Sequence, residues 1–444
     1  MCPAHRPPCN DHVFYGWRSA RADTKYDSCA KERMSQQMSN IMIALVVPSL
    51  EQGGGVPSVA EFVCKVAERS KRFDVRLISL STSMVDDVGL AITRPRSWLR
   101  GVEVAHGTWR GRPITRIGVF ASELEFQRYK PRPELATALA GCDLIQVVCG
   151  SPAWANSVVG LGKPVSLQVA TRVKVERRRR DANPKTLAGW WRKCMTIITD
   201  QLDDRALHAV DAIQLENPWM LDYCRQINQG RADVDVRYAP PGVDVRLFCP
   251  LEERHTSAAP YILCVGRLDD PRKNISLLLN AFSQLPASLS HVHLVTAGAG
   301  KPPPDYWVQV ASKGLKDRVR HIQRPKTIDL VKLYQQATAF ALSSDEEGLG
   351  VVILEAMACG VPVVATRCGG PDGIITDGKD GFLVPLDDAA AMADRLALLC
   401  TDAAMNQQMG REARATIEAH YADDVAGAAF VDVWDKLLQM AGKR

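Results

Sequence analysis

Two short segments hold the side chains best placed to do chemistry. In Glu346-Glu347-Gly-Leu-Gly-Val-Val-Ile-Leu-Glu355, the carboxylates of Glu347 and Glu355 stand eight residues apart around a helix start expected near Leu349. The free backbone N–H groups and dipole of such a start favour an anion, for example a diphosphate. Glu347, just ahead of the helix, can reach hydroxyls of a sugar, and Glu355, about two turns in, can accept both hydroxyls of a ribose diol. The alternative is a first-turn acid that satisfies the helix dipole, followed by an incidental inner Glu. Against it, Glu355 sits in the apolar run Val351 to Met357, where an unpaired carboxylate is costly to bury.

The second segment is Gly266-Arg267-Leu-Asp-Asp-Pro-Arg-Lys273-Asn274, directly after an apolar run that ends at Val265. A strand end that delivers an Arg and a Lys six residues apart through a turn can clamp a diphosphate. Arg offers a planar fork of donors and Lys a point charge. Either residue alone is more often a surface charge. Their position ahead of the two-carboxylate segment makes the clamp the preferred reading. Fixed cations and helix-start donors there would stabilise a departing nucleoside diphosphate with no metal ion.

The elements that must position these residues follow from the apolar pattern. Ile41-Met-Ile-Ala-Leu-Val-Val-Pro48 is a continuous apolar run of strand length, suited to a parallel sheet covered on both faces. A glycine turn, Gly53-Gly54-Gly55, follows, then helical spacing from Pro57 to Ser70 and a second strand over Asp74–Leu80. Further strands are expected at 143–148, 164–169 and 210–215. After a turn at 239–244 and a linker at 251–260, a second alternation runs through 261–265, 291–295, 319–322, 339–342 and 362–365. The fold class is therefore α/β, with two successive doubly wound domains whose ligand lies beyond the carboxyl ends of the strands, in a cleft between them. The divisions are an irregular leader over 1–38, an N-terminal domain over 39–245, a C-terminal domain over 246–420, and a last helical segment over 421–444.

Gly-Arg-Leu-(x)₄-Lys-Asn paired with Glu-(x)₇-Glu resembles the family-4 retaining glycosyltransferases of GT-B fold, the glycosyl transferases group 1. Pro241-Gly-Val-Asp244 with Phe248, Val361-Pro-Val-Val-Ala-Thr366 and Gly369-Gly370 extend the likeness. It implies two Rossmann-like domains facing across a cleft and no cofactor, with a nucleotide diphosphate sugar as co-substrate. UDP is the commoner carrier and GDP the next. Arg267 and Lys273 would hold the diphosphate, Glu347 the donor sugar and Glu355 the ribose. Gly266 and the backbone of Leu349, Gly350 and Val351 would meet sugar and phosphates. Gly53, Gly54 and Gly55 would approach the donor from the N-terminal domain, where glycine permits close backbone approach. A bare glycine turn has that meaning only in company. The implied reaction is front-face displacement, a leaving-group phosphate oxygen taking the acceptor proton. A GT-B epimerase or phosphorylase, and a non-catalytic relative that binds nucleotide sugars, are the alternatives.

The likeness fails at one place. Many relatives carry a histidine soon after the strand that here reads Val165–Val169, and this chain continues Ala170-Thr171-Arg172. Gln168, Thr171 or Arg172 is left to face the acceptor. His106, in Ala-His-Gly-Thr-Trp109, is either structural or close to the acceptor.

The stretch from Lys163 to Lys193 holds ten basic and two acidic residues and contains Trp190-Trp191. A solvated loop is the plain reading. The others are recognition of an acidic acceptor or peripheral docking on an anionic membrane face. The net charge of +5 over 444 residues does not argue for nucleic acid, and no nucleic-acid motif accompanies it. Cysteines such as Cys142, Cys149, Cys264 and Cys359 lie in apolar runs and are expected as free, buried thiols. Cys2, Cys9 and Cys29 with His5 and His12 fit no standard zinc spacing, so no metal site is expected. No apolar run reaches membrane-spanning length and the first residues lack a secretory core. The expected location is the cytoplasm, or the inner membrane face if the basic stretch docks.

Overall fold

The apolar run at the start forms β1 (Ile41–Pro48), and its alternate residues enter two different cores. Ile43, Leu45 and Val47 pack on one face of the sheet, Ala44 and Val46 on the other. Two-sided burial is the reason the run is continuous rather than alternating. The computed structural model describes residues 40–442 except 49, 51–53, 83–87, 91, 94, 99–100 and 252–258. Gly53 and the 1–38 leader, with its cysteines and histidines, therefore lie outside the described residues.

After β1 come helix α1 (Gly55–Ser70) and strand β2 (Phe73–Leu80), then β3 (Val104–Trp109), β4 (Arg112–Ile117), β5 (Leu144–Cys149) and β6 (Val165–Val169). Helix α2 (Leu187–Ala209), β7 (Ala212–Leu215), helix α3 (Pro218–Ile227) and β8 (Asp235–Tyr238) complete the first sheet. Its order is β3-β4-β2-β1-β5-β6-β7-β8, parallel throughout except for the β3–β4 hairpin. The second sheet is built from β9 (Tyr261–Val265), β10 (His293–Gly298), β11 (Val319–Gln323), β12 (Ala339–Leu342), β13 (Val363–Thr366) and β14 (Gly381–Val384). Its order is β11-β10-β9-β12-β13-β14 and every pair is parallel. Helices α4 (Ile275–Ser283) and α5 (Val351–Ala358) follow β9 and β12. Both sheets reverse direction of growth beside their central strand, which opens a crevice at the carboxyl ends.

Four strands escape the apolar pattern: β3, β4, β8 and β14. β3 is mostly exposed on an edge and β8 is half-buried, so neither presents an apolar run, and β14 is a four-residue strand that opens on Gly381. The basic stretch is also not one loop. It contains β6, two short helical turns at Val173–Glu176 and Arg178–Ala182, and the first turns of α2. No disulfide joins any two of the ten cysteines among the described residues, and Cys142, Cys149, Cys264 and Cys359 are buried.

The last helix, α6 (Asp423–Gly442), follows the second sheet in sequence but packs on the first. Its Phe430 meets Phe62 of α1 edge-to-face at 5.2 Å, and Trp434 meets Phe73 at 5.1 Å. The Trp434 indole N–H donates to Gln146 Oε1 of β5 at 2.8 Å, which satisfies two buried polar groups at once. Gly427 lies against Val66, where any Cβ would crowd the valine at 2.9 Å. The chain thus returns to its N-terminal sheet after completing the second one. Trp434→Ala removes a fully buried ring and orphans Gln146, so a loss of about 3–5 kcal/mol is expected, read as a shifted midpoint in urea denaturation.

Candidate active site

The loop after β9 carries the cations. Asp270 starts a short 3₁₀ turn at Pro271–Lys273, its carboxylate accepting from the Arg272 backbone N–H at 3.1 Å. The same carboxylate receives Arg272 Nη2 at 2.8 Å and Arg267 Nη2 at 3.0 Å. Burial alone would raise the Asp270 pKa, but the arginines prevail and hold it below the usual range. Asn274 then takes a left-handed conformation (φ 41°) and caps α4.

Lys273 turns the other way. Its Nζ reaches Glu347 Oε1 at 2.5 Å, and Ser344 Oγ donates to the same oxygen at 2.6 Å. The Glu347 backbone is pinned as well, donating to Cys368 O and accepting from Gly370 N. Gly370 has no room for a side chain, because a Cβ would collide with Leu349. Three residues after Glu347, Gly350 adopts φ 88° and starts α5 with no side-chain cap. The helix start therefore presents backbone donors to the cavity.

Glu355 lies just over one turn into α5, because the helix starts at Val351 rather than near Leu349; it is half-buried and accepts from Tyr334 Oη at 2.7 Å. Burial pushes its pKa up to about 7, against the opposing hydrogen bond from Tyr334. Gly54, with φ 146° and ψ −168°, holds a conformation that favours glycine and passes beside Arg267.

One cavity of about 580 Å³ takes in these groups. Its wall includes Gly54, Gly55, Thr171, Gly266, Arg267, Lys273, Glu347, Leu349, Gly350, Val351 and Glu355. Three expected residues are thus joined from the first sheet and eight from the second. Two expected acceptor residues are not there. His106 lies on the outer edge strand β3, exposed, with Nδ1 3.3 Å from Thr115 Oγ1. Arg172 is turned away, paired with Asp200 at 2.8 Å and Asp204 at 2.9 Å and stacked on Tyr223. Its charge is fully used in holding α2 and α3 together.

Ala170, where the family likeness leads one to expect a histidine, is occupied by packing. A Cβ on Gly348 would collide with it. The Asn217 side-chain amide donates to Ala170 O at 2.6 Å and Gly348 O at 2.7 Å, so it ties the two sheets' loops together.

Several cavity residues were not singled out by sequence reasoning. Arg272 links Asp270, Glu346 (3.1 Å) and Glu176 (3.1 Å), three carboxylates from separate loops. Burial works against its charge, and the carboxylates more than compensate, so its pKa is raised. Glu216 follows β7 directly and accepts from Gln168 Nε2 at 3.1 Å. Its position just past a strand end was a usable signal. Burial pushes both Glu216 and Glu346 up to about 7, opposed by Gln168 and by Arg272 respectively.

The comparisons with known proteins bear on this geometry. The described architecture is shared with sucrose-phosphate synthase from Thermosynechococcus elongatus, at a TM-score of 0.67 and 20% identity over 90% of this chain and 100% of that one. It is shared with Anabaena HepE, solved in complex with UDP-glucose, at a TM-score of 0.64 and 15% identity over 89% and 100%. The chain has the GT-B glycosyltransferase fold. Residues 252–416, a stretch that includes every strand of the second sheet, match the family described as glycosyl transferases group 1.

Among curated relatives, a D-inositol 3-phosphate glycosyltransferase of an Arthrobacter species is 33% identical over 198 residues, 42% of this chain and 47% of that protein. A GDP-mannose-dependent mannosyltransferase of Corynebacterium glutamicum, acting on a monoacylated phosphatidylinositol monomannoside, is 29% identical over 213 residues, 44% and 55%. The chain spans about half the length of the curated relatives it matches.

The raised carboxyls have a consequence for stability. An unfolded Glu titrates near 4.5, and the folded Glu216 near 7, so folding takes up a proton between these values. Stability therefore falls as pH rises through that window and is level above it. Glu216→Gln removes the ionisation while leaving an acceptor for Gln168. Its melting temperature should exceed that of the parent by a few degrees at pH 8, with the gap closed at pH 4.5.

Proposed function

We propose that this chain is a retaining, metal-independent glycosyltransferase that moves a hexose-type sugar from a nucleotide diphosphate sugar to an alcohol-bearing acceptor. The observation that carries the reading is the convergence of Arg267, Lys273, the uncapped start of α5, Glu347 and Glu355 in one cavity. UDP is placed ahead of GDP as the carrier, following the family likeness.

In this reading the diphosphate lies between the two cations and the α5 start. Glu355 accepts the ribose hydroxyls, and Glu347, held by Lys273 and Ser344, faces the sugar. As the bond between the anomeric carbon and the phosphate oxygen breaks, both electrons pass to the diphosphate. Arg267 and Lys273 stabilise that charge in place, with no rearrangement needed. The acceptor oxygen forms its bond to the anomeric carbon on the same face, and its proton goes to a phosphate oxygen of the departing diphosphate. Closure of the cleft by the Arg272 and Asn217 links excludes water that would otherwise hydrolyse the donor.

A donor screen tests the reading first. UDP- and GDP-sugars, GDP-mannose included, are incubated with the chain in EDTA, and binding and slow donor hydrolysis are measured. A retained activity with one carrier is expected, and the anomeric configuration of the product by NMR should match that of the donor. Lys273→Ala should lower turnover by about 100-fold or more with a small change in donor affinity. Glu355→Ala should weaken donor binding by roughly 10–100-fold, the worth of hydrogen bonds to a charged acceptor. Wild-type activity in both variants would sink the assignment of the cavity.

A further inference from the structure

Helix α2 buries one face against its domain and leaves an apolar face uncovered. Inward, Met195, Thr199, Asp203, Ala206 and Leu207 are buried against the first sheet's domain. Outward, Leu187 is 90% exposed, Trp190 56%, Trp191 50% and Ile197 56%, with Cys194 and Ile198 also exposed. These six recur at 187, 190, 191, 194, 197 and 198, the spacing of a single helix face. An ordinary solvated helix would carry polar groups there. A contiguous stripe with two indoles marks a contact surface.

The charges around the stripe decide what it contacts. Lys185 lies just ahead of the helix, and Lys193 Nζ sits 5.5 Å from the Trp190 ring. Arg178 and Arg180, on the short turn before it, are exposed and have no ion-pair partner among the described residues. The two acids of the same stretch are occupied: Glu176 by Arg272 and Asp181 by Arg192. The exposed charge flanking the stripe is therefore uniformly positive. Apolar stripe, paired tryptophans and a basic border together match an anionic lipid surface. Among the described residues no helix is long and apolar enough to cross a membrane, so the contact would lie in the interfacial plane.

We propose that the outer face of α2 docks this chain on an anionic lipid surface, through Leu187, Trp190, Trp191 and Ile197 with Lys185 and Lys193 on the headgroups. Arg178 and Arg180 also border a second cavity of about 1040 Å³ that shares Glu176, Arg267, Arg272 and Glu346 with the first. The docked face thus adjoins the opening between the two sheets. The inference stands on the surface alone and is independent of the chemistry in the cleft.

The test is flotation of the full chain with vesicles of pure phosphatidylcholine and of phosphatidylcholine containing one-third phosphatidylglycerol. The wild type should rise with the anionic vesicles only, and less so in half-molar salt. Trp190→Ser with Trp191→Ser should lower the partition coefficient by about 10-fold or more, and Lys185→Glu with Lys193→Glu should abolish the preference for anionic vesicles. Leu187→Ser, at a residue that contributes almost nothing to packing, should shift binding in the same direction with an unchanged melting temperature. A wild type that stays in solution with both vesicles overturns the proposal, as does a tryptophan pair variant that floats undiminished. A concentration-dependent dimer by light scattering that the same variant dissolves, without vesicle binding, would assign the face to a second copy of the chain instead.

Discussion

The Arg272 guanidinium is the charge that the rest of the cleft is arranged around. A partly buried cation must be paired, and this one is met by Asp270 from its own turn, Glu346 from the loop after β12 and Glu176 from the loop after β6. Because those carboxylates come from both sheets' loops, satisfying one cation also fixes the separation of the two halves. Arg179 repeats the pattern from the opposite side, reaching Asp345 and Asp387. The groups proposed for chemistry, Arg267 and Lys273, lie on either side of Arg272 in the loop after β9. Arg267 shares Asp270 with Arg272, so its orientation is inherited from that ion cluster, whereas Lys273 is oriented by Glu347.

Glycine supplies the complementary constraint. At Gly348 and Gly370 a side chain would strike Ala170 or Leu349, and at Gly350 the backbone is left-handed. These positions let the loop before α5 lie flat between the sheets, with Asn217 bridging carbonyls from both. Small residues here are thus required by the contact itself. Ala170 belongs to that contact, which gives a packing reason for the missing histidine and shifts attention to Thr171, Glu216 and Glu346 on the same wall.

Much of the plan was legible along the chain. Apolar runs such as Ile41–Pro48 and Tyr261–Val265 mark central parallel strands, because burial on both faces leaves no polar alternation. The strands that could not be read, β3, β4, β8 and β14, sit at or near sheet edges or are very short, where one-sided exposure or length removes the signal. The pairing of Glu347 and Glu355 was readable because one acid lies just ahead of a helix start and the other about one turn inside it, so both border the same cavity. His106 and Arg172 were misplaced for a common reason. A residue type says what chemistry is available, while a sheet-edge position or a set of partners such as Asp200 and Asp204 decides whether it is free to act.

By itself the sequence determined the local elements, the glycine-bounded start of α5, and the pairing of a cationic turn with a two-carboxylate helix. These depend on periodicity and short-range geometry, which a linear pattern carries. Tertiary structure alone decided which charges are spent on one another, as with Arg172 and Arg272, and which face of α2 is left uncovered. It also decided that α6 returns to the first sheet, through Trp434 and Gln146, 288 residues apart. Such outcomes depend on which distant groups meet, and burial and desolvation act only on groups that the fold has brought together.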